Sequence, residues 1–223
     1  MKNRRIAAIL AGVSIMLFIS GCQDGGIGEP PANMKTVTQN STGDNATFEY
    51  EIPEDWMSGM SDALSVGAFP EAMNGNREMK GVDALPYSVL IDQRYYHDHS
   101  MTKEEQKKMF EELFAGNPEA YEEHLQTEFS VSLFGRYEVI DPPEYTGFTY
   151  KKYQGENGPI TEVRYSETHE GKTIRVIRCY REDIPYMVTG VFDESLELSS
   201  GDLVPWVASS LKVTEHYLSG EVA

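Results

Sequence analysis

Thr47-Phe48-Glu49-Tyr50-Glu51-Ile52-Pro53-Glu54-Asp55-Trp56 is the stretch on which the reading of this chain turns. Phe48, Tyr50 and Ile52 alternate with Thr47, Glu49 and Glu51, the period of two expected of a strand with one buried face. Proline has no N–H to give a ladder, so Pro53 ends the strand. Trp56 follows almost at once, large and apolar enough to wedge between a helix and a sheet.

Downstream of it, residues 57–81 are rich in Gly, Met, Ser and Asn and read as a long loop or a short irregular helix. Residues 87–95 (Tyr87-Ser88-Val89-Leu90-Ile91-Asp92-Gln93-Arg94-Tyr95) read as a second strand. Thr102-Lys103-Glu104-Glu105 matches a capping box, a hydroxyl at the N-cap and a carboxylate three residues on. Met109, Phe110, Leu113 and Phe114 then form one apolar stripe at helical spacing, and Gly116-Asn117-Pro118 ends the helix. A second helical piece over 119–126 places Tyr121 and Leu125 at i, i+4.

From there the period returns to two. Strands are expected at 137–140, 148–153, 160–166, 172–180 and 186–192. Asp141-Pro142-Pro143, Gly155-Glu156-Asn157-Gly158-Pro159, His169-Glu170-Gly171 and Asp183-Ile184-Pro185 punctuate them, which implies an antiparallel meander. In the fourth of these, Ile174, Val176, Arg178 and Tyr180 share one face and Thr173, Arg175, Ile177 and Cys179 the other. An amphipathic helix carrying Leu203, Val204, Trp206, Val207 and Leu211 closes the pattern. A sheet covered by helices buries both kinds of apolar stripe, so the expected class is α+β, an antiparallel β-sheet flanked by helices as an α/β/α sandwich.

The order strand, Ile52-Pro53-Glu54-Asp55-Trp56, strand, helix, antiparallel strands and last helix resembles the PsbP/DcrB-type α/β/α fold over residues 46–214. The Ile-Pro-x-x-Trp step carries the resemblance, and residues 57–81 depart from the compact form. What the resemblance implies is an accessory or interaction protein without a common catalytic set.

Upstream, Met1-Lys2-Asn3-Arg4-Arg5 is cationic, and residues 6–19 hold no charge. That run is short of the ~20 apolar residues a spanning helix needs. A basic start, a short apolar run and then small residues form a secretory signal. Ile19-Ser20-Gly21-Cys22 resembles the bacterial lipobox, with isoleucine where leucine is preferred. Small neighbours let the processing enzymes reach the backbone, and the resemblance implies diacylglycerol on the Cys22 thiol. The alternatives are ordinary signal cleavage with Cys22 an incidental thiol, or an uncleaved anchor. One acyl chain holds a protein marginally and two or more hold it stably.

The expected organisation is therefore a lipoprotein signal peptide over 1–21, a lipidated cysteine and flexible tether over 22–45, one domain over 46–215 and a tail over 216–223. The tether reading rests on Gly25, Gly26, Gly28, Pro30 and Pro31, followed by polar residues with little to bury.

The formal charge is −17, and loss of Lys2, Arg4 and Arg5 with residues 1–21 makes it −20. Nucleic-acid binding depends on neutralising phosphates with Lys and Arg, so a nucleic-acid partner is not expected. Anionic headgroups are disfavoured in the same way, leaving the lipid on Cys22 as the membrane contact and the only cofactor-like group. Cys179 is then the sole remaining cysteine, with no disulfide partner within the chain, and reads as structural.

Candidate chemistry is sparse. His97-Asp98-His99 follows the second strand; in extended chain His97 and His99 point to one side and could share a metal, with His124 or a carboxylate completing the set. An exposed polar loop is the competing reading. Glu104-Glu105, Glu111-Glu112 and Glu122-Glu123 suit a solvated helix face better than the paired carboxylates of a hydrolase. No Asp-x-Asp-x-Asp-Gly calcium loop, phosphate-binding Gly loop or Gly-x-Ser-x-Gly elbow is present. Tyr95 with Tyr96, Tyr150 with Tyr153, or Tyr180 with Tyr186 would suit a recognition groove, with packing as the default. The expected function is a non-enzymatic interaction or assembly module of the cell envelope, lipid-anchored on the extracytoplasmic face of a membrane and partnered by an envelope protein. The alternatives are an extracytoplasmic metal- or small-solute-binding lipoprotein using His97 and His99, and, further behind, a cell-wall hydrolase.

Overall fold

The computed structural model describes residues 27, 33–41, 46–61, 65–71, 87–93, 102–133, 143–169, 171–193 and 203–215. Among them are ten strands and three helices. β1 (Met34–Ser41) and β2 (Ala46–Pro53) lead into β3 (Trp56–Ser61), β4 (Ser65–Pro70) and β5 (Tyr87–Gln93). Helices α1 (Lys103–Phe114) and α2 (Glu119–Leu133) precede the meander of β6 (Glu144–Gly155), β7 (Gly158–His169), β8 (Lys172–Arg181) and β9 (Tyr186–Asp193). Helix α3 (Leu203–Ser210) and β10 (Lys212–Glu215) complete the order.

Two antiparallel sheets result. β1, β2 and β10 form a three-stranded sheet with β2 in the middle, and the other seven run β3-β4-β5-β9-β8-β7-β6. The fold is α+β, as its alternating periods require. Helices α1 and α2 cover one face of the large sheet through Met109, Leu113, Tyr121 and Leu125 against Val163, Tyr165, Val176, Tyr180 and Met187. The other face is covered by α3 together with the small sheet, which brings Phe48, Tyr50 and Ile52 against Val66, Val89, Ile91 and Val188. One outer layer is thus part helix and part sheet, because β2 carries a buried face wider than a helix of eight residues could cover.

The Ile52–Trp56 step is where the chain changes sheets: Pro53 closes β2 in the small sheet, and Trp56 opens β3 in the large one. A turn at Glu54 and Asp55 is pinned on both sides, by the Glu54 N–H donating to the Asn33 carbonyl (2.8 Å) and the Glu71 N–H to that of Asp55 (2.9 Å). Trp56 is buried in the core between the layers.

Three expectations are corrected. The tether read over 22–45 contains β1, whose eight residues pair antiparallel with β2 from Met34↔Pro53 to Ser41↔Ala46. Composition misses it because an added edge strand is held by backbone hydrogen bonds and needs few apolar side chains. Residues 57–81, read as loop or irregular helix, hold β3 and β4. Their small residues are what the site demands, since a Cβ on Gly67 would lie 2.7 Å from the Leu90 side chain across the sheet. The second helix runs to Leu133, beyond the expected 126, and β10 was not anticipated. The strand expected at 137–140 and the end of the one expected at 87–95 lie outside the described residues.

The α1 capping box forms as its sequence implies. Thr102 Oγ1 accepts from the Glu105 N–H (3.2 Å), while the Thr102 N–H donates to Glu105 Oε2 (2.7 Å). Those bonds from Thr102 hold the Glu105 carboxyl below its ordinary range. A depressed carboxyl supports the cap above its unfolded-state value and releases it as pH falls through the folded one. Thr102→Ala should cost about 1 kcal/mol in urea unfolding and return the Glu105 titration, followed by NMR, to that of an ordinary glutamate.

Candidate functional site

Buried Arg181, Ser209 and Ser210 hold the layers together. Arg181, at the end of β8, is 2% exposed. Its Nη1 donates to the carbonyls of Ala208 and Leu211 (both 2.9 Å) and its Nη2 to that of Asn157 (2.7 Å). Nε and Nη2 also grip Asp183 Oδ1 (2.8 Å) and Oδ2 (2.7 Å). Helix α3 ends with carbonyls that have no helical partner, and this guanidinium satisfies two backbone oxygens at that end. Asn157, in the β6–β7 turn, donates to the carbonyls of Ser209 (2.9 Å) and Ser210 (3.2 Å). The small sheet joins in: the Glu51 N–H donates to Ser210 Oγ (3.1 Å) and Trp206 Nε1 to Glu51 Oε2 (2.8 Å). Helix α3 is therefore a keystone clamped to both sheets.

The clamp covers only one end of the β6–β8 face. Towards the other end the same face is open and carries cations. Antiparallel register puts Lys151 opposite Glu162, Thr149 opposite Arg164, and Ser166 opposite Arg175. Side chains of directly opposed residues share a face, so Lys151, Arg164 and Arg175 run diagonally across three strands. Lys151 and Arg175 are exposed, and Arg164 is partly covered. Glu162, nearly fully buried, takes Arg164 in a two-pronged pair, Nε to Oε1 at 2.5 Å and Nη2 to Oε2 at 3.1 Å. Tyr153 donates to the same carboxylate at 2.9 Å. A buried carboxylate so satisfied fixes the Arg164 head group in place.

Cys179, directly opposite Glu162 on the same face, is fully buried, with its Sγ 3.8 Å from the Tyr153 hydroxyl. Burial, reinforced by the nearby Glu162 charge, pushes its thiol well above the ordinary value. Burial likewise raises the Tyr153 phenol, with Cys179 and Glu162 adding to it. A thiol held protonated and out of reach is a poor nucleophile; Cys179 is structural, and more deeply buried than alternation alone suggests.

Under the helices the polar groups are packing partners. Tyr121 and Tyr180 join hydroxyl to hydroxyl at 2.7 Å. The Arg178 guanidinium sits 6.0 Å from the Tyr165 ring centre. His124, named above as a possible further ligand, is buried with its ring 6.1 Å from that of Tyr121. Tyr180 and Tyr186 belong to the cores on opposite faces of the sheet and so line no common groove. Tyr150 packs edge-on against Phe114 (4.7 Å). Tyr95 and Tyr96 lie outside the described residues.

So do Ile19, Ser20, Gly21 and Cys22, and the pair His97 and His99. Among the described residues no group of three His, Cys, Asp or Glu side chains is placed to hold a metal ion, and no helix is long and apolar enough to cross a membrane. The cationic row was not read from the sequence. Arg175 was placed on its face of β8 by alternation, but its alignment with Arg164 and Lys151 depends on register, which single strands do not reveal.

Fold and site together define an α+β domain with an acidic surface, a helical layer on one side and an open cationic corner on the other. No protein-family model matches the chain, and no curated protein matches it. Among solved structures it is similar to cyanobacterial PsbP (CyanoP) from Synechocystis sp. PCC 6803, in solution, with a TM-score of 0.41 and 11% identity over 84% of this chain and 96% of that one.

Proposed function

We propose that this chain is an exported bacterial lipoprotein, cleaved before Cys22 and held by diacylglycerol on the extracytoplasmic face of a membrane. Its α+β domain then acts as a non-catalytic interaction or assembly module of the cell envelope. The observation that carries the anchoring is the run from Lys2 through the uncharged residues 6–19 to Ile19-Ser20-Gly21-Cys22. What supports a binding role for the domain is the use of its buried polar groups. Arg181 joins the large sheet to α3, and Glu162, Tyr153 and Cys179 contact one another within the sheet, whereas the exposed cations of β6–β8 face outward. The partners in this reading are the membrane, through the lipid on Cys22, and an envelope protein. The net charge of −17 argues against a nucleic-acid partner.

Intact mass of the native protein recovered from membranes tests it. The expected species begins at Cys22 and carries the added mass of diacylglycerol. Cys22→Ala should remain unprocessed and take up no labelled palmitate, while the domain still folds. A soluble species beginning at another residue, without lipid, overturns the anchoring.

A further inference from the structure

We infer, building on the reading of the domain as an interaction module, that the open corner of the large sheet docks a short acidic segment of a partner protein through Lys151, Arg164 and Arg175. Diagonal neighbours on adjacent strands are about 7–8 Å apart. Alternate residues of an extended chain repeat at about 6.6–6.8 Å. Carboxylates at every second position of an extended segment therefore match the spacing of the row, the outer two facing Lys151 and Arg175. Arg164 is pre-set by Glu162, and among the described residues Lys151 and Arg175 form no ion pair that the occupant would have to displace. The two acids on this face of β6–β8 are Glu162, already buried against Arg164, and Glu144 at the far end of β6. Thr149, Ser166 and Thr173 surround the row with exposed or half-buried hydroxyls suited to hydrogen bonds with a partner backbone.

Charge and topology select this occupant over others. A long polyanion or an anionic lipid surface would meet the rest of a chain whose net charge is −17 and be repelled beyond the corner itself. A short acidic stretch keeps its charge inside it. The segment leading from Cys22 enters β1, which packs beside β3 and β4. From β4 to β7 is four strand steps, about 19 Å at the usual strand spacing, so the row stands away from the strands beside β1. Docking runs across the face and not along the β6 edge. That edge has Lys151 and Lys152 and the register break between Thr146 and Thr149, devices that discourage strand addition.

The test uses the mature protein in detergent and, as probe, the peptide Glu-Ser-Glu-Ser-Glu, titrated at low salt by amide NMR, with Gln-Ser-Gln-Ser-Gln as control. Expected are shifts confined to Thr149, Lys151, Arg164, Ser166 and Arg175 and their neighbours, weakened by salt. Binding should be at least tenfold weaker for the glutamine peptide. Lys151→Glu with Arg175→Glu, both exposed and so compatible with folding, should reduce it at least tenfold with the urea midpoint unchanged. Shifts absent, scattered, or unaffected by the double substitution overturn the inference. It is also overturned if phosphatidylglycerol vesicles bind in a Lys151- and Arg175-dependent way that the glutamate peptide does not compete, or if the same substitutions abolish self-association in sedimentation. Lipid on Cys22 has no bearing on the peptide result, so failure here leaves the anchoring standing, and failure of anchoring leaves this corner to be judged by itself.

Discussion

Arg181→Met should lower the unfolding free energy by about 3–5 kcal/mol, the largest loss expected from any single exposed-to-apolar or charged-to-apolar change in the clamp. The guanidinium is 2% exposed and reaches three backbone carbonyls, those of Ala208, Leu211 and Asn157. Methionine fills similar volume yet leaves all three oxygens without that donor. A buried polar group robbed of its partner bears its full desolvation cost. The Asp183 pair adds less, because that carboxylate is 38% exposed and water screens it. Arg181→Lys should recover only part of the loss, since one ammonium cannot span the fork of contacts.

The pH dependence distinguishes the two parts. Burial alone would raise the Asp183 carboxyl, but hydrogen bonds from Arg181 and its charge outweigh that and hold it below its usual 3.8. A depressed carboxyl contributes above its unfolded-state value and stops contributing as pH falls through the folded one. The gap between native protein and Arg181→Met should therefore persist at neutral pH and narrow only in acid below about pH 4. Urea unfolding followed by tryptophan fluorescence measures both, with Trp206 on α3 reporting the keystone directly. A loss under 1 kcal/mol at pH 7, or a slope change without a midpoint shift, would show that α3 docks without the clamp.

Gly190→Ala is the second large effect, at about 1–3 kcal/mol. Gly190 lies in β9 between Ile177 of β8 and Val89 of β5, under α3. A Cβ there would come within 2.3 Å of Val204 Cγ2 and 2.6 Å of Phe192 Cε2, both in fully buried side chains. Either helix or sheet has to move. The cause is close approach and not backbone freedom, so Val204→Ala should relieve it. The double variant should be more stable than the sum of the two single losses predicts, by ~1 kcal/mol. Simple additivity in thermal or urea unfolding would contradict the contact. Gly158 is a different case: its φ of +154° favours glycine through backbone conformation, and an added Cβ would also displace the Asp183 carboxylate.

Local patterns with strong periods proved readable. Phe48, Tyr50 and Ile52 point inward as their alternation requires, and Ile174, Val176 and Tyr180 separate from Ile177 and Cys179 into opposite cores. The Thr102–Glu105 cap and a turn within Gly155–Pro159 also follow from residues close in sequence, though the strands close it to Glu156 and Asn157 alone. Where a segment lacks apolar period, reading failed. β1 is polar and β3 and β4 are rich in small residues, yet all three are strands, because the sheet supplies their hydrogen bonds from outside the segment.

By itself the sequence determined the alternation of periods, hence the α+β class, the meander, and a net charge of −17. All but the charge depend on one or a few turns of chain, where geometry is set by neighbours. Only the tertiary structure decided that Ile52–Trp56 carries the chain from one sheet to the other, that Arg181 caps a helix which begins 22 residues after it at Leu203, and that Lys151, Arg164 and Arg175 line up. Those depend on register and on which layer covers which face. Both are chosen by burial of the whole set of apolar faces at once, which no single segment contains.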